Sequence, residues 1–298
     1  MVHDIKVVLE KIDKLPELFH IAVRVAKMLD DLNINVNQLS KVISLDQALT
    51  TQLLKLCNSA QYGFSRKIVT VNDAVAKLGF KTIKSLVFVA ISHGILNSAV
   101  KGYDLGKGEL WKNSISCAVY SRYLAKITNY KDPETAFTAG LLRDIGKLMI
   151  HEYVGINYND ILNKINSEGI SFSSAEEHII GFNHCQIGSA VATKWNFPPI
   201  LVDTIKYHHN FDDAINNGCE DVKLLSIVHI ADTITMMLGN GMGNDGMMYN
   251  IDLKSLKYLD ISQQSTCIEN LISEMVELNT EIDEMIGIAN GEQKNNKI

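Results

Sequence analysis

Apolar residues recur three and four positions apart almost throughout the chain, and the two-residue alternation of a half-buried strand is scarce. The pattern predicts an all-α fold. Behind Leu15-Pro16, where a proline at the first helical position loses no hydrogen bond, Leu18, Ile21, Ala22, Val25, Ala26 and Leu29 form one apolar face. Asn37 is expected to cap a helix over 38–44. Asp46 is expected to cap the next, with Leu49, Leu53, Leu54 and Leu56 inward. Thr70 and Asp73 resemble a capping box ahead of 71–78, Gly79 sits at a C-cap position, and a more apolar helix is expected over 80–96. Three glycines within 98–108 read as a linker.

Beyond it, Leu110 opens a helix to about Lys126. Asp132-Pro133-Glu134 combines a cap, a first-turn proline and an acid, and predicts a long helix ending near Glu152. An amphipathic helix over 156–167 stops at Gly169. Ser173 and Ser174, each with glutamate three residues on, predict a short helix to Ile180. Gly181 to His184 turns into a helix reaching Trp195. Pro198-Pro199 starts another that ends at His208-His209. An apolar helix covers 224–238, and a single closing helix is expected over 262–288.

With 298 residues and 46% hydrophobic content, the chain can build one large domain or two smaller ones. A break at the glycine-rich linker gives a helical part over 1–104, a second over 105–289, and a polar tail over 290–298 expected to be disordered. The net charge of −6 and the absence of a basic stripe argue against nucleic-acid binding. Five widely spaced cysteines with no Cys-x-x-Cys read as free thiols in a reducing cytosol, with Cys57 and Cys117 in the core. The N-terminus shows no basic region followed by an apolar run, and the most apolar stretch, 86–91, is too short to span a membrane. A cytoplasmic protein without a membrane partner is the expectation. Gly239 to Gly246 lacks the Gly-Lys-Ser/Thr ending of a phosphate-cradling loop and reads as a mobile loop.

The stretch Thr138 to Leu148 holds one acid, Asp144, among Leu141, Leu142, Ile145 and Leu148. A buried carboxylate is costly unless it is paired or holds a metal. The neighbouring Arg143 cannot be a ligand, because guanidinium stays protonated. Asp144 therefore needs either a metal or a cationic partner. Histidines and acids able to ligate divalent metals concentrate in the same half: His151, His178, His184, His208, His209, His229 and Asp232. For His151, His178 and His229 the reading as satisfied core or exposed residues is favoured over a site role. His208 and His209 lie about 100° apart if helical, so one can face a pocket while the other bonds a neighbour.

Several ordered segments carry a family resemblance. They are Ser44 to Ala60, Ile68 with Ala74 to Gly79, Leu110-Trp111 with Ser114, Ala136 to Leu142, Trp195 with Pro198, and His208-His209. Over about Leu15 to Asp232 the chain resembles HDOD proteins, relatives of the HD-domain phosphohydrolases. Gln47 stands where that family usually has proline. The resemblance implies an N-terminal helical subdomain on an HD-like helical bundle. It implies that Asn113, Arg143, Asp144 and Asp232 occupy the metal-ligand positions of active HD enzymes, and that His184 and His208 or His209 match the second-metal histidines of the cyclic-dinucleotide phosphodiesterase branch. No Gly-Tyr-Pro motif follows His209.

Asn113 and Arg143 depart from the active pattern. A fixed positive charge about 4 Å from a dication costs roughly 8 kcal/mol at an effective dielectric of 20. That is four or more tenfold steps in affinity if Arg143 faces the site; if it points to solvent, nothing is lost. The expectation is a non-catalytic bacterial signalling or regulatory protein, standing alone in its chain, with no cofactor and an unidentified signalling protein as partner. One alternative is a metal-dependent phosphohydrolase using Asp144, His184, His208, His209 and Asp232 with manganese, iron or zinc. The other is a nucleotide sensor built on the vestigial pocket Asn113, Arg143, Asp144, His184, His208, His209 and Asp232.

Overall fold

The structure is a computed structural model that describes residues 4–12, 24–25, 27–28, 34–154, 157–241, 252–261 and 265–290. Among these residues the fold is all-α, with no strand beyond an isolated bridge between Val100 and Leu105. Most of the expected helix behind Leu15-Pro16, most of the Gly239–Gly246 loop, the start of the closing helix and nearly all of the polar tail lie outside the described residues.

Two compact units divide the chain. One takes Pro16–Ile95 with Leu278–Ile298, the other Met1–Leu15 with Leu96–Glu277. The boundary near Leu96 lies close to the expected break at 104, but each unit also takes one end of the chain. Helix α1 (Ile5–Lys11), capped by Asp4, belongs to the larger unit, where Lys194 Nζ donates to Leu9 O over 2.8 Å.

In the smaller unit α2 spans Val36–Ser44 and α3 Gln47–Cys57. Asp46 caps α3 as its position predicts, but α2 is capped by Asn35, whose side chain reaches the Asn37 backbone; the expected cap at Asn37 is two residues too late. After α3 the Asn58 side chain clamps the chain. Its amide donates to Leu54 O and Ile68 O, and its carbonyl accepts from Ile68 N at 2.8 Å. Helix α4 (Val71–Leu96) contains a non-helical Gly79 at φ 76°, ψ 164°, so the two helices expected here do meet at that glycine, a conformation that only glycine adopts without strain.

In the larger unit 98–108 is no flexible spacer: Tyr103 is fully buried there. Helix α5 (Glu109–Ile127) follows, then α6 (Pro133–Leu142), capped by Asp132, and α7 (Ile145–Tyr153). The single long helix expected through Glu152 is thus broken at Arg143-Asp144. Asp144 has left the helical ψ, at 14°, and its carbonyl accepts from Lys147 N, opening a new helix. Next come α8 (Tyr158–Glu168), α9 (Phe172–Ile180) and α10 (His184–Lys194). Helix α9 is capped by Ser171, two residues before the serine pair expected to do so. Helix α10 has a full capping box between Asn183 and Gln186. Helices α11 (Pro199–Tyr207), α12 (Phe211–Asn216), α13 (Val222–Met237), α14 (Leu253–Tyr258) and α15 (Ser265–Val276) complete this unit. The expected single closing helix is two, because the chain turns between Val276 and Asn279 and α16 (Asn279–Ala289) joins the smaller unit, packing on α3.

Candidate functional site

The pairings within the larger unit, α5 with α6 and α13, and α10 with α7 and α11, bring five pieces of chain to one point. They are the middle of α5, the α6–α7 junction, the start of α10, the end of α11 and the middle of α13. Close approach of α7 to α10 is possible because residue 146 is glycine: a Cβ there would lie 1.8 Å from His184 O.

Arg143 is fully buried at this point. Its Nε donates to Asp232 Oδ1 at 2.7 Å, and Nη2 lies 2.5 Å from the same oxygen. Nη2 also donates to Asn113 Oδ1 and lies 3.3 Å from Asp144 Oδ2. Nη1 donates to Gly140 O at 3.0 Å, one of the terminal carbonyls that α6 leaves without a helical partner. Burial works against the guanidinium charge, but Asp232 and Asp144 more than offset it and keep Arg143 charged. Of the two readings left open by the sequence, the inward one is what the structure shows. The reach from Arg143 to its neighbour Asp144, forbidden within one helix, is opened by the break between α6 and α7.

Asp144 is 2% exposed and faces two ways. Oδ2 meets Arg143. Oδ1 has Lys147 Nζ at 3.3 Å, His184 Nε2 at 3.6 Å and His208 Nε2 at 3.7 Å, yet accepts no hydrogen bond of good geometry. Burial alone would push this carboxyl up; Lys147 and Arg143, then His208 and His184, hold it well below its ordinary 3.8.

On the far side of Asp144 stands a second group. Glu176, fully buried, takes the His184 ring Nδ1–H at 2.6 Å, the His184 backbone N–H at 3.1 Å and the Tyr103 hydroxyl. Cys185 Sγ lies 3.4 Å from His184 Nε2 and 3.9 Å from His208 Nε2. Burial opposes the Cys185 thiolate, but the two imidazoles bring the thiol down to about 7. Burial likewise opposes charge on the histidines; Cys185 and Glu176 raise His184 well above 6.5, and Cys185 with Asp144 raises His208 to about 9. His209 goes the other way: burial and its two imidazole neighbours press it well below 6.5. Its Nδ1 is 3.8 Å from Asp232 Oδ2.

All of Asn113, Arg143, Asp144, His184, His208, His209 and Asp232 therefore meet in one buried cluster. His151 and His178 do not join it. His229 serves the fold: its Nδ1–H donates to His208 O at 2.8 Å and its Nε2 accepts from Asp252 N at 2.9 Å. The sequence reading missed Lys147, Glu176 and Cys185. A signal for Glu176 was present: it stands four residues from both Phe172 and Ile180, in line with the buried face of α9.

The residues present do not fit the dication that the HD resemblance implies between Asp144 and Asp232. The guanidinium already pairs with both acids and with Asn113, the position where active enzymes carry an imidazole.

Comparisons with known proteins agree with this architecture. The HDOD domain family matches residues 15–211, ending short of Asp232, and the chain belongs to the HDOD domain family. Among solved structures, an HDOD domain protein of unknown function from Geobacter sulfurreducens superposes with TM-score 0.69 at 23% identity, covering 96% of this chain and 97% of its own. A candidate phosphohydrolase from Shewanella amazonensis SB2B gives 0.70 at 24% identity over 95% and 97%. A candidate signal transduction protein from Marinobacter aquaeolei VT8 gives 0.72 at 20% identity over 95% of this chain and 61% of its own. At these identities the likeness is one of fold. An uncharacterized protein of Treponema pallidum (strain Nichols) is 26% identical over 211 residues, which are 69% of this chain and 39% of that protein. The chain thus spans about two-fifths of that relative's length.

Proposed function

We propose that this chain is a regulatory HDOD protein of bacterial signalling that acts by binding a partner protein and does not hydrolyse phosphate esters. The observation that carries the non-catalytic half is Arg143. A hydrolytic dication works by holding a water or a phosphoryl oxygen between anionic and imidazole ligands. Here a buried guanidinium stands between Asn113, Asp144 and Asp232. A side chain that cannot lose its proton cannot activate water in that place. The signalling half is supported by membership of the HDOD family. The nucleotide-sensor reading has less support, because each guanidinium nitrogen already has a protein partner, leaving Arg143 poorly placed to fork a phosphate.

The test is a hydrolysis screen of the purified chain against an activated phosphodiester, phosphomonoesters and cyclic dinucleotides, each with manganese, iron and zinc. The expected result is turnover no greater in the wild type than in Asp144→Ala. Metal-dependent turnover that Asp144→Ala abolishes would overturn the reading in favour of a metal-dependent phosphohydrolase.

A further inference from the structure

We propose that the loop between α3 and α4 is a docking surface for an acidic, partly apolar segment of a partner protein. This role rests on the partner-binding reading above and adds where, and by what chemistry, the partner is held. No residue of the Arg143 cluster takes part.

The charge distribution sets this stretch apart. In a chain of net charge −6, residues 55–84 carry six cations, Lys55, Arg66, Lys67, Lys77, Lys81 and Lys84, against one acid, Asp73. The smaller unit holds 11 Lys and Arg against 9 Asp and Glu, whereas the larger holds 17 against 25. Exposed apolar side chains lie inside the basic stretch: Val69 is 68% exposed and Phe64 36%. Arg66 and Lys67 stand between them, both exposed, and among the described residues neither has an acid within ion-pairing distance. Single exposed apolar residues are ordinary; two of them flanking a pair of uncompensated cations within six residues form a patch with a definite chemistry.

The backbone beneath the patch is fixed. Asn58 bonds both the N–H and the C=O of Ile68, whose side chain is buried, and Ala60 N donates to Glu284 Oε1 of α16 at 2.8 Å. Gly63 makes the turn in the left-handed region, at φ 58°. The Phe64 ring stacks on Tyr62, with centroids 6.4 Å apart and planes at 18°. Lys77 Nζ stands 5.3 Å from the Phe64 centroid while it pairs with Asp73 at 3.3 Å. The loop is thus pinned at both ends and Phe64 is steadied from two sides, yet Phe64, Arg66, Lys67 and Val69 remain exposed. Ordering such side chains at the surface gains little for folding and lowers the cost of ordering them on binding. Aromatic and arginine side chains are also those that interface centres favour.

Charge decides the kind of partner. Arg66 and Lys67 call for carboxylates, and Phe64 and Val69 for apolar side chains beside them. A nucleic acid or an anionic bilayer would present its charge to more of the chain than one loop, and the net −6 opposes it. A peptide segment brings its acids to the loop alone.

The test applies the full chain to an array of short randomised peptides at physiological and at raised salt. Expected are bound peptides enriched in Asp and Glu together with apolar residues, held less well as salt rises. Arg66→Glu combined with Lys67→Glu weakens their binding at least about tenfold, and Phe64→Ser weakens it too. Lys126→Glu, at an exposed position of α5 in the larger unit, leaves it unchanged. All four substituted side chains are exposed, and unchanged thermal unfolding checks that the fold is kept. Absence of acidic enrichment, or equal binding by the Arg66/Lys67 variant, overturns the proposal and leaves the partner-binding reading standing. Loop-dependent binding to phosphatidylglycerol vesicles or to single-stranded RNA, or loop-dependent self-association in sedimentation, overturns it as well by assigning the loop another occupant. Metal-dependent turnover in the hydrolysis screen would strike the non-catalytic reading instead, on which the peptide result does not depend, so the two fail separately.

Discussion

Arg143 is a charged side chain held at 0% exposure by two carboxylates, an amide and a helix-end carbonyl. Such a group is costly to remove singly and much less costly to remove with its partner. Arg143→Met leaves Asp232 and Asp144 buried without their main counter-charge, and a loss of about 3–5 kcal/mol is expected from urea unfolding. Arg143→Met combined with Asp232→Leu is expected to recover a large part of that loss, a non-additivity that a simple packing role for Arg143 would not produce. At this scale the sequence was informative about which residues belong together and uninformative about their reach. Asn113, Arg143, Asp144 and Asp232 were picked out by motif position. That Arg143 turns inward could not be read, because adjacent residues of one helix do not face each other, and the helix break that removes the objection depends on packing around it. Cys185 was counted only as a free thiol, since its proximity to His184 and His208 arises from the folding of α10 against α11.

Among the elements, the site depends on where helices end rather than on what they contain. Asp144 opens α7, His184 opens α10, and His208 closes α11. Helix starts written in local chemistry were legible: Asp46 before α3 and the Asp132-Pro133 start of α6 stand where the sequence places them. Ends and breaks set by tertiary contact were not, as the split at Arg143-Asp144 and the two-helix C-terminus show. His229 is the element-scale tie, holding α13 to the end of α11 and the start of α14 through both ring nitrogens. Burial lowers it below its ordinary 6.5. The folded state therefore resists its protonation, so its contribution is complete above about pH 6.5 and is lost as pH falls below that value. His229→Gln is expected to cost about 1–3 kcal/mol near neutrality. The gap between variant and wild type, measured by denaturant unfolding, should narrow towards pH 5. A gap independent of pH would show that His229 does not titrate in this way.

For the whole molecule, the all-α class followed from periodicity alone, while the assignment of chain to unit did not. Gln52 Nε2 meets Ala289 O across 237 residues of sequence, and Lys194 meets Leu9 across 185, pairings that no local pattern announces. Among the described residues no helix is long and apolar enough to cross a membrane. At this scale the proposed non-catalytic role rests on one side chain: the Arg143 guanidinium pairs with Asp144 and Asp232, the two acids that the HD resemblance assigns to metal. The most direct measurement is manganese affinity, by calorimetric titration, for the wild type and for Arg143→His. The account predicts weak binding to the wild type and a gain of at least about a hundredfold in the variant, a fraction of the roughly 8 kcal/mol of repulsion removed. Equal affinity in the two proteins would contradict it.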